Sequence, residues 1–217
     1  MTQIAAAQKG KITDQIKQVA KEEPLSQDQI LKHVAAGHIV IPWNPNHHPK
    51  PVGIGKGLRV KVNANIGTSR EYCHIDEEIQ KAKIAVENKV HAIMDLSTGG
   101  DLDEIRKKLL KVSSVPFGTV PIYQTAIEAT KDHGAIIDMT SNEMFKTFEK
   151  QAKQGVDFAV VHVGVTRESV ERLKRQNRLI PMVSRGGAFH MAWILHHQQE
   201  NPLYEEFDHL LDLAKEY

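Results

Sequence analysis

The chain has little sulfur: Cys73 is the one cysteine in 217 residues. A single thiol excludes an internal disulfide, and it excludes a cluster or zinc centre built from several thiolates of this chain. An excess of one charge is missing too, since 28 Lys and Arg stand against 27 Asp and Glu. No overall field draws the chain to nucleic acid or to an anionic membrane, although a local anion site remains open. Long apolar runs are absent, and no stretch approaches the roughly 20 residues that a membrane span requires. The N-terminal MTQIAAAQKGK has no long apolar segment ending in a cleavage site. Together these absences lead to the expectation of a cytoplasmic protein that contacts neither nucleic acid nor membrane.

What remains suffices for a globular fold. The 41% hydrophobic content can fill the core of one large or two small domains. Residues 1–57 read as a small helical and loop region with two short helices. Ser26 and Gln29 form a capping box before Ile30, Leu31 and Val34, and Gly37 marks the stop. The run Ile41-Pro-Trp-Asn-Pro-Asn-His-His-Pro-Lys-Pro51 carries too many prolines for a helix or a central strand. It reads as a loop packed against another part of the fold.

Residues 58–217 change character. Apolar runs at 58–66, 92–96, 118–122, 158–163 and 179–183 alternate with amphipathic helices. Most lack polar alternation, as expected of parallel strands covered on both faces. Asp101 with Glu104, and Thr140 with Glu143, have capping-box spacing, and Gly155 stops the second helix. Ile75, Ile79, Ala82 and Val86 share one helical face. Five successive βα units admit either an open doubly wound sheet or a closed eight-stranded barrel, and periodicity does not separate the two.

In both architectures ligand groups project from the carboxyl ends of the strands. Those ends carry Asn63, Asn65 and Gly67; then Met94, Asp95 and Ser97; then Tyr123 and Gln124; then His162; then Ser184-Arg185-Gly186-Gly187. Asn63 and Asn65 face one side of their strand, where they either read a heterocycle or ribose or satisfy a loop backbone. Tyr123 is either core or a ring stacked on a flat ligand, and Met94 is either filler or a contact. His162 ends a buried strand, as a core residue or as an acid–base or ligand group. The Ser-Arg-Gly-Gly turn combines a helix N-terminus with a guanidinium, a pairing that suits phosphate. His47-His48 and His196-His197 lack a third ligand nearby and read as solvated histidines. Arg106-Lys107-Lys108 reads as a solvated helix face.

Five segments resemble one family, in order. Lys61-Val-Asn-Ala-Asn-Ile-Gly67, Ile93-Met-Asp-Leu-Ser-Thr-Gly-Gly100, Gly118-Thr-Val-Pro-Ile-Tyr-Gln124, Val161-His-Val-Gly-Val165 and Val183-Ser-Arg-Gly-Gly187 are similar to those of phosphomethylpyrimidine synthases of thiamine biosynthesis. The resemblance implies an α/β fold, the first five βα units of a (β/α)8 barrel, incomplete in this chain and preceded by the small helical region. It implies a carbon–carbon lyase that rearranges aminoimidazole ribotide into hydroxymethylpyrimidine phosphate by a radical started from S-adenosylmethionine. Substrate contacts carry over to Asn65, Met94, Tyr123, His162, Ser184, Arg185 and Gly186. A homodimer is implied for the complete enzyme.

Two local departures accompany the match. The family's Ile-Pro-Ala-Asn-Ile-Asn-His loop stands here as Ile41-Pro-Trp-Asn-Pro-Asn-His47, and Val163 takes a position where the family often has cysteine. The family's [4Fe–4S] cluster motif and its zinc-binding histidines have no counterpart in these residues, so this chain holds no metal ligands and is expected to be inactive alone. Two neighbouring readings are a 5-hydroxybenzimidazole synthase of anaerobic cobamide biosynthesis and a catalytically inactive ribotide-binding fragment.

Overall fold

The computed structural model describes residues 1–176 and 178–217. Three short helices open the chain: α1 (Gln3–Gln8), α2 (Asp14–Glu22) and α3 (Gln27–Ala35). Thr2, Thr13 and Ser26 each cap one of them by accepting the N–H three residues on. At Ser26 the box closes, because Gln29 Oε1 accepts the Ser26 N–H at 2.9 Å. The sequence led to two helices; the third is α1, six residues held by the Thr2 cap. An antiparallel pair follows, β1 (Ile39–Val40) and β2 (Ile54–Gly55). Ala7, Ile16, Val19, Ile30, Val34, Ile39 and Ile41 pack into a core of their own.

The rest alternates strand and helix: β3 (Asn63–Ile66), α4 (Ile75–Glu87), β4 (Ala92–Asp95), α5 (Leu102–Val112), β5 (Phe117–Thr119), α6 (Pro121–Asp132), a 3₁₀ turn (Ile136–Asp138), α7 (Ser141–Gln154), β6 (Phe158–Ala159), α8 (Arg167–Arg175), α9 (Arg185–His197), α10 (Pro202–Glu205) and α11 (Phe207–Glu216). The sheet is parallel in the order β3-β4-β5-β6. Among the described residues no helix is long and apolar enough to cross a membrane.

Register decides which side chains share a face. Asn65 lies beside Met94, Met94 beside Gly118, and Gly118 beside Phe158. Register partners in a parallel pair point the same way, so Asn63, Asn65, Met94 and Phe158 occupy one face. Gly118 leaves room there for the Phe158 ring, since a Cβ on it would sit 2.3 Å from Phe158 Cε2. The opposite face carries Ile66, Ile93 and Phe117, packed on Ala82 of α4 and on Ile105 and Leu109 of α5. Each such buried side chain stabilises the fold by about 1.5–3 kcal/mol relative to exposure. Ile75, Ile79 and Val86 join this layer as expected.

The strands are shorter than the apolar runs. Only Asn63–Ile66 pairs within 58–66, and only Phe158–Ala159 within 158–163. The run 118–122 ends early because Pro121 is the first residue of α6. Proline has no N–H to leave unpaired there, and its fixed φ suits the first helical turn. The expected fifth strand at 179–183 does not pair: Leu179, Ile180 and Val183 are 100%, 59% and 80% exposed. A strand requires a ladder partner and a covered face, and Pro181 within this run removes a donor. Its helix, α9, forms as expected. Four parallel strands with flanking helices are what the chain assembles, an arrangement consistent with part of a barrel.

The proline-rich loop is laced onto α7. The Asn44 amide donates to the Ala152 and Val156 carbonyls at 2.8 and 3.0 Å, and the Asn46 amide to the Lys153 carbonyl at 3.0 Å. These bonds fasten the loop to the last turn of α7 and to the residue beyond its stop, where Gly155 turns the chain at φ 109°. Two of the surface readings are corrected here. His47 is not solvated; its side chain is 5% exposed and bonded to Asp157. Arg106 is not on a solvated face either; at 2% exposed it reaches Gln124, Gln154 and Asp103.

Candidate ligand site at the strand ends

The turn that begins α9 organises one half of the site. Ser184 caps the helix by accepting the Gly187 N–H at 3.1 Å. The same oxygen lies 3.1 Å from His162 Nε2, which ties the turn to the segment after β6. Gly186 is required by that approach, because a Cβ on it would lie 2.2 Å from His162 Cε1. Burial without a compensating charge pushes the His162 imidazole below its usual value, so the ring is neutral at pH 7. Arg185 is exposed and places its guanidinium carbon 5.1 Å from the centre of the Tyr123 ring. Tyr123 meets Phe189 of α9 edge to face, with centroids 6.2 Å apart.

The other half is the sheet face. Asn63 Nδ2 donates to Asn65 Oδ1 at 2.8 Å, which fixes the Asn65 amide on the exposed end of β3. Met94, its register partner, is buried and belongs to the same apolar cluster that Tyr123 and Phe189 join. The seven residues expected from the sequence are thus linked in two connected groups: Asn65 with Met94, and Tyr123 with Arg185, Ser184, Gly186 and His162. The shared cluster of Met94 and Tyr123 joins the two.

Some strand-end polar residues do other work. Tyr123 lies in the first turn of α6 rather than at a strand exit. Gln124, next to it, points away from the site and accepts from Arg106 Nη1 at 3.1 Å. Asp95 is buried, and burial raises its carboxyl above the usual range despite bonds from the Ser97 N–H and hydroxyl. Ser97 in turn accepts the Thr68 N–H, and Thr68 Oγ1 donates to the Gly99 carbonyl at 2.7 Å. These bonds join the loops after β3 and β4, which approach so closely that a Cβ on Gly99 would be 2.0 Å from the Ser69 carbonyl oxygen.

Two residues with a part in the site were not singled out in the sequence. Asn201, fully buried, donates to the carbonyls of His162 and Val165 at 2.9 and 3.0 Å and so fixes the backbone of the histidine turn. Asn-Pro at 201–202 signals a helix start, and Asn201 does cap α10 by accepting the Leu203 N–H. Its reach back to residue 162 has no local signature. His190, one turn after Gly186, is the second, fully buried with its ring centre 5.8 Å from that of His162.

Chemically the arrangement offers a neutral polar surface of amide, phenol and imidazole beside one guanidinium and a helix N-terminus. That set suits a flat polar ligand carrying an anion. It does not suit a thiolate-bound cluster: Cys73 is the one cysteine, and among the described residues no group of three His, Cys, Asp or Glu could hold a metal. A cavity of about 140 Å³ lies elsewhere, lined by Trp43, Asn44, Phe148 and Asp157 among others and by none of the seven site residues.

The whole chain from residue 2 to 217 matches the Radical SAM ThiC family. It is 57% identical over 218 aligned residues to the phosphomethylpyrimidine synthase of Pyrococcus abyssi, covering all of this chain and 51% of that protein. The protein of the same name from Pyrococcus furiosus is 55% identical, again over all of this chain and 51% of the relative. That of Moorella thermoacetica is 50% identical over all of this chain and 50% of its own length. The chain spans about half the length of the curated relatives it matches.

Proposed function

The chain belongs to the Radical SAM ThiC family, and from that premise we propose that it is the substrate-binding half of a phosphomethylpyrimidine synthase acting in thiamine biosynthesis. The proposed reaction, of the carbon–carbon lyase class, rearranges aminoimidazole ribotide to hydroxymethylpyrimidine phosphate. In the proposed division of labour residues 1–57 form the N-terminal region and residues 58–217 the substrate-binding part of a barrel, four of whose parallel strands pair here.

One arrangement supports this reading: the His162–Ser184 bond and the Arg185–Tyr123 contact link three of the sequence motifs, those of Tyr123, His162 and Ser184-Arg185. Asn65 and His162 read the donors and acceptors of the imidazole and ribose. Tyr123 and Met94 provide the flat apolar wall. Arg185 and the first-turn amides of α9 take the phosphate, with Gly186 allowing the close approach. Binding at several points holds the ribotide in one orientation, which is the contribution this half makes to the reaction.

S-adenosylmethionine, a [4Fe–4S] cluster and zinc are cofactors of the proposed complete enzyme; when bound, the first two supply the radical. The residues of this chain do not fit the cluster or the zinc, having one thiol and no three-residue metal group among the described residues. In the proposed reading the chain is inactive by itself, and the complete enzyme is a cytoplasmic homodimer.

The test is calorimetric titration with aminoimidazole ribotide, together with product analysis of the gene's complete product given S-adenosylmethionine and a reductant. Saturable binding that weakens when the phosphate is removed, with hydroxymethylpyrimidine phosphate as product, is the expected result. No binding overturns the site. Formation of 5-hydroxybenzimidazole assigns the cobamide reaction instead, and binding without turnover by the complete product leaves a ribotide-binding protein.

A further inference from the structure

Asn201 is fully buried, and both polar atoms of its side chain are bonded to backbone. Nδ2 donates to the His162 carbonyl at 2.9 Å and to the Val165 carbonyl at 3.0 Å, while Oδ1 accepts the Leu203 N–H at 3.1 Å. The carbonyls can only accept and the N–H can only donate, so the amide has one orientation. The residue before it grips the same stretch of chain, since the Glu200 carboxylate accepts the Arg167 N–H at 2.9 Å. Residues 200–201, just ahead of α10, thus clasp the turn from 162 to 167.

That turn has little else to hold it. The ladder of β6 ends with the Val160 N–H, donated to the Thr119 carbonyl at 2.9 Å, and the next bond, from the Val165 N–H to the His162 carbonyl at 3.2 Å, lies within the turn itself. Among the described residues, Asn201 alone brings hydrogen bonds to the backbone of 161–165 from elsewhere in the chain. Val161, Val163 and Val165 pack on the cluster that holds Leu203 and Leu210, but apolar contact is non-directional and leaves the peptide planes free to turn. The His162 ring tolerates little such freedom. It lies where a Cβ on Gly186 would be 2.2 Å from its Cε1, and its Nε2 is 3.1 Å from Ser184 Oγ. A shift of the turn by about 1 Å away from α9 would break that bond.

We propose that Asn201 is a positioning residue of the ribotide site: by holding the His162 and Val165 carbonyls it sets where the His162 ring stands against Ser184 and Gly186. This rests on the reading of His162 as a ribotide contact. Asn201 engages the backbone of the turn and uses neither ring nitrogen of His162. Its other role, the cap on α10 through Oδ1, is separable from this one, because the cap needs an acceptor and the turn needs two donors. The connection between α9 and α10 thereby becomes a determinant of ribotide affinity from outside the site.

The experiment compares ribotide titration and the NMR pH titration of His162 in the gene's full chain, unaltered and with Asn201→Ser. Serine keeps an acceptor for the Leu203 N–H, as a good cap does, but lacks the amide that reaches two carbonyls. Helix content by circular dichroism should hold, and the ribotide dissociation constant should rise about tenfold. The His162 titration, held low by burial, should move up towards 6.5. Gln124→Ala, which weakens the fold away from the site, should move neither reading; an equal change there means a general loss of stability and overturns the proposal. A folded Asn201→Ser protein with unchanged affinity and unchanged His162 titration overturns it too. So does an Asn201 side-chain amide that exchanges its protons freely with solvent in the unaltered chain, a measurement that holds even if the variant does not fold. If the His162 titration moves as expected but ribotide binds to neither protein, the positioning stands and the site assignment fails.

Discussion

His47 Nδ1 lies 2.6 Å from Asp157 Oδ2, and the other ring nitrogen of His47 lies 2.8 Å from the Ser113 carbonyl oxygen. Neither the carboxylate nor the carbonyl can donate, so both ring nitrogens carry protons and His47 is an imidazolium. Asp157 also accepts the N–H groups of Asn44 and Phe117, at 2.8 and 2.7 Å. A single buried carboxylate thus ties the loop of residues 41–51 to the starts of β5 and β6.

A pH dependence of stability follows. Burial opposes the charge on His47, but the Asp157 bond and charge and the Ser113 carbonyl outweigh it, so its pKa stands above the ordinary value of 6.5. A group raised in the folded state contributes stability that is fully present below its unfolded pKa and lost as pH rises through the folded one. Denaturant midpoints should therefore fall as pH rises past neutrality. Replacing His47 with Gln should flatten that slope and, by leaving a buried carboxylate without its ion partner, cost about 3–5 kcal/mol. A variant with the unaltered slope would show that other groups control it.

Arg185→Ala should weaken ribotide binding by ten- to a hundredfold, the worth of a charge-assisted bond of about 1.5–3 kcal/mol. The side chain is exposed and caps no helix, so the melting temperature should barely move. Calorimetry beside a thermal melt separates the two effects, and unchanged affinity rules out the phosphate role.

Gly186→Ala tests the notch over which His162 sits. No left-handed φ constrains this glycine, and alanine is the better helix former by about 1 kcal/mol. Helix content by circular dichroism should hold, while displacement of the His162 ring lowers ribotide affinity at least about tenfold. Retained affinity would mean that the ring position is irrelevant to the ligand.

Gln124→Ala separates a structural neighbour from a site residue. It removes an acceptor from the buried Arg106 guanidinium and should cost about 1.5–3 kcal/mol in chemical denaturation. Ribotide affinity in the folded protein should stay unchanged, whereas Tyr123→Ala, one residue away, should lower it.

Local chemistry was legible from the sequence. The Ser26–Gln29 and Thr140–Glu143 boxes and the Gly155 stop form as read, because a cap is decided within four residues of chain. The parallel order of the strands was legible from their uninterrupted apolar runs, and the Ser184-Arg185-Gly186 turn from its glycines. The end of the run at 118–122 was misread although its cause is local: Pro121 both follows a strand and opens a helix, and that choice moved Tyr123 onto α6.

Only the tertiary structure decided which polar groups are buried and with whom. His47 and Arg106 look solvent-bound in the sequence, and their partners lie 110 and 18 residues away at Asp157 and Gln124. Asn201 reaches His162 across 39 residues, and His190 meets it because both pack over one turn of α9. A charge or an imidazole is soluble on its own terms; what holds it inside is a partner brought near by the fold, and periodicity along the chain carries no record of that distance.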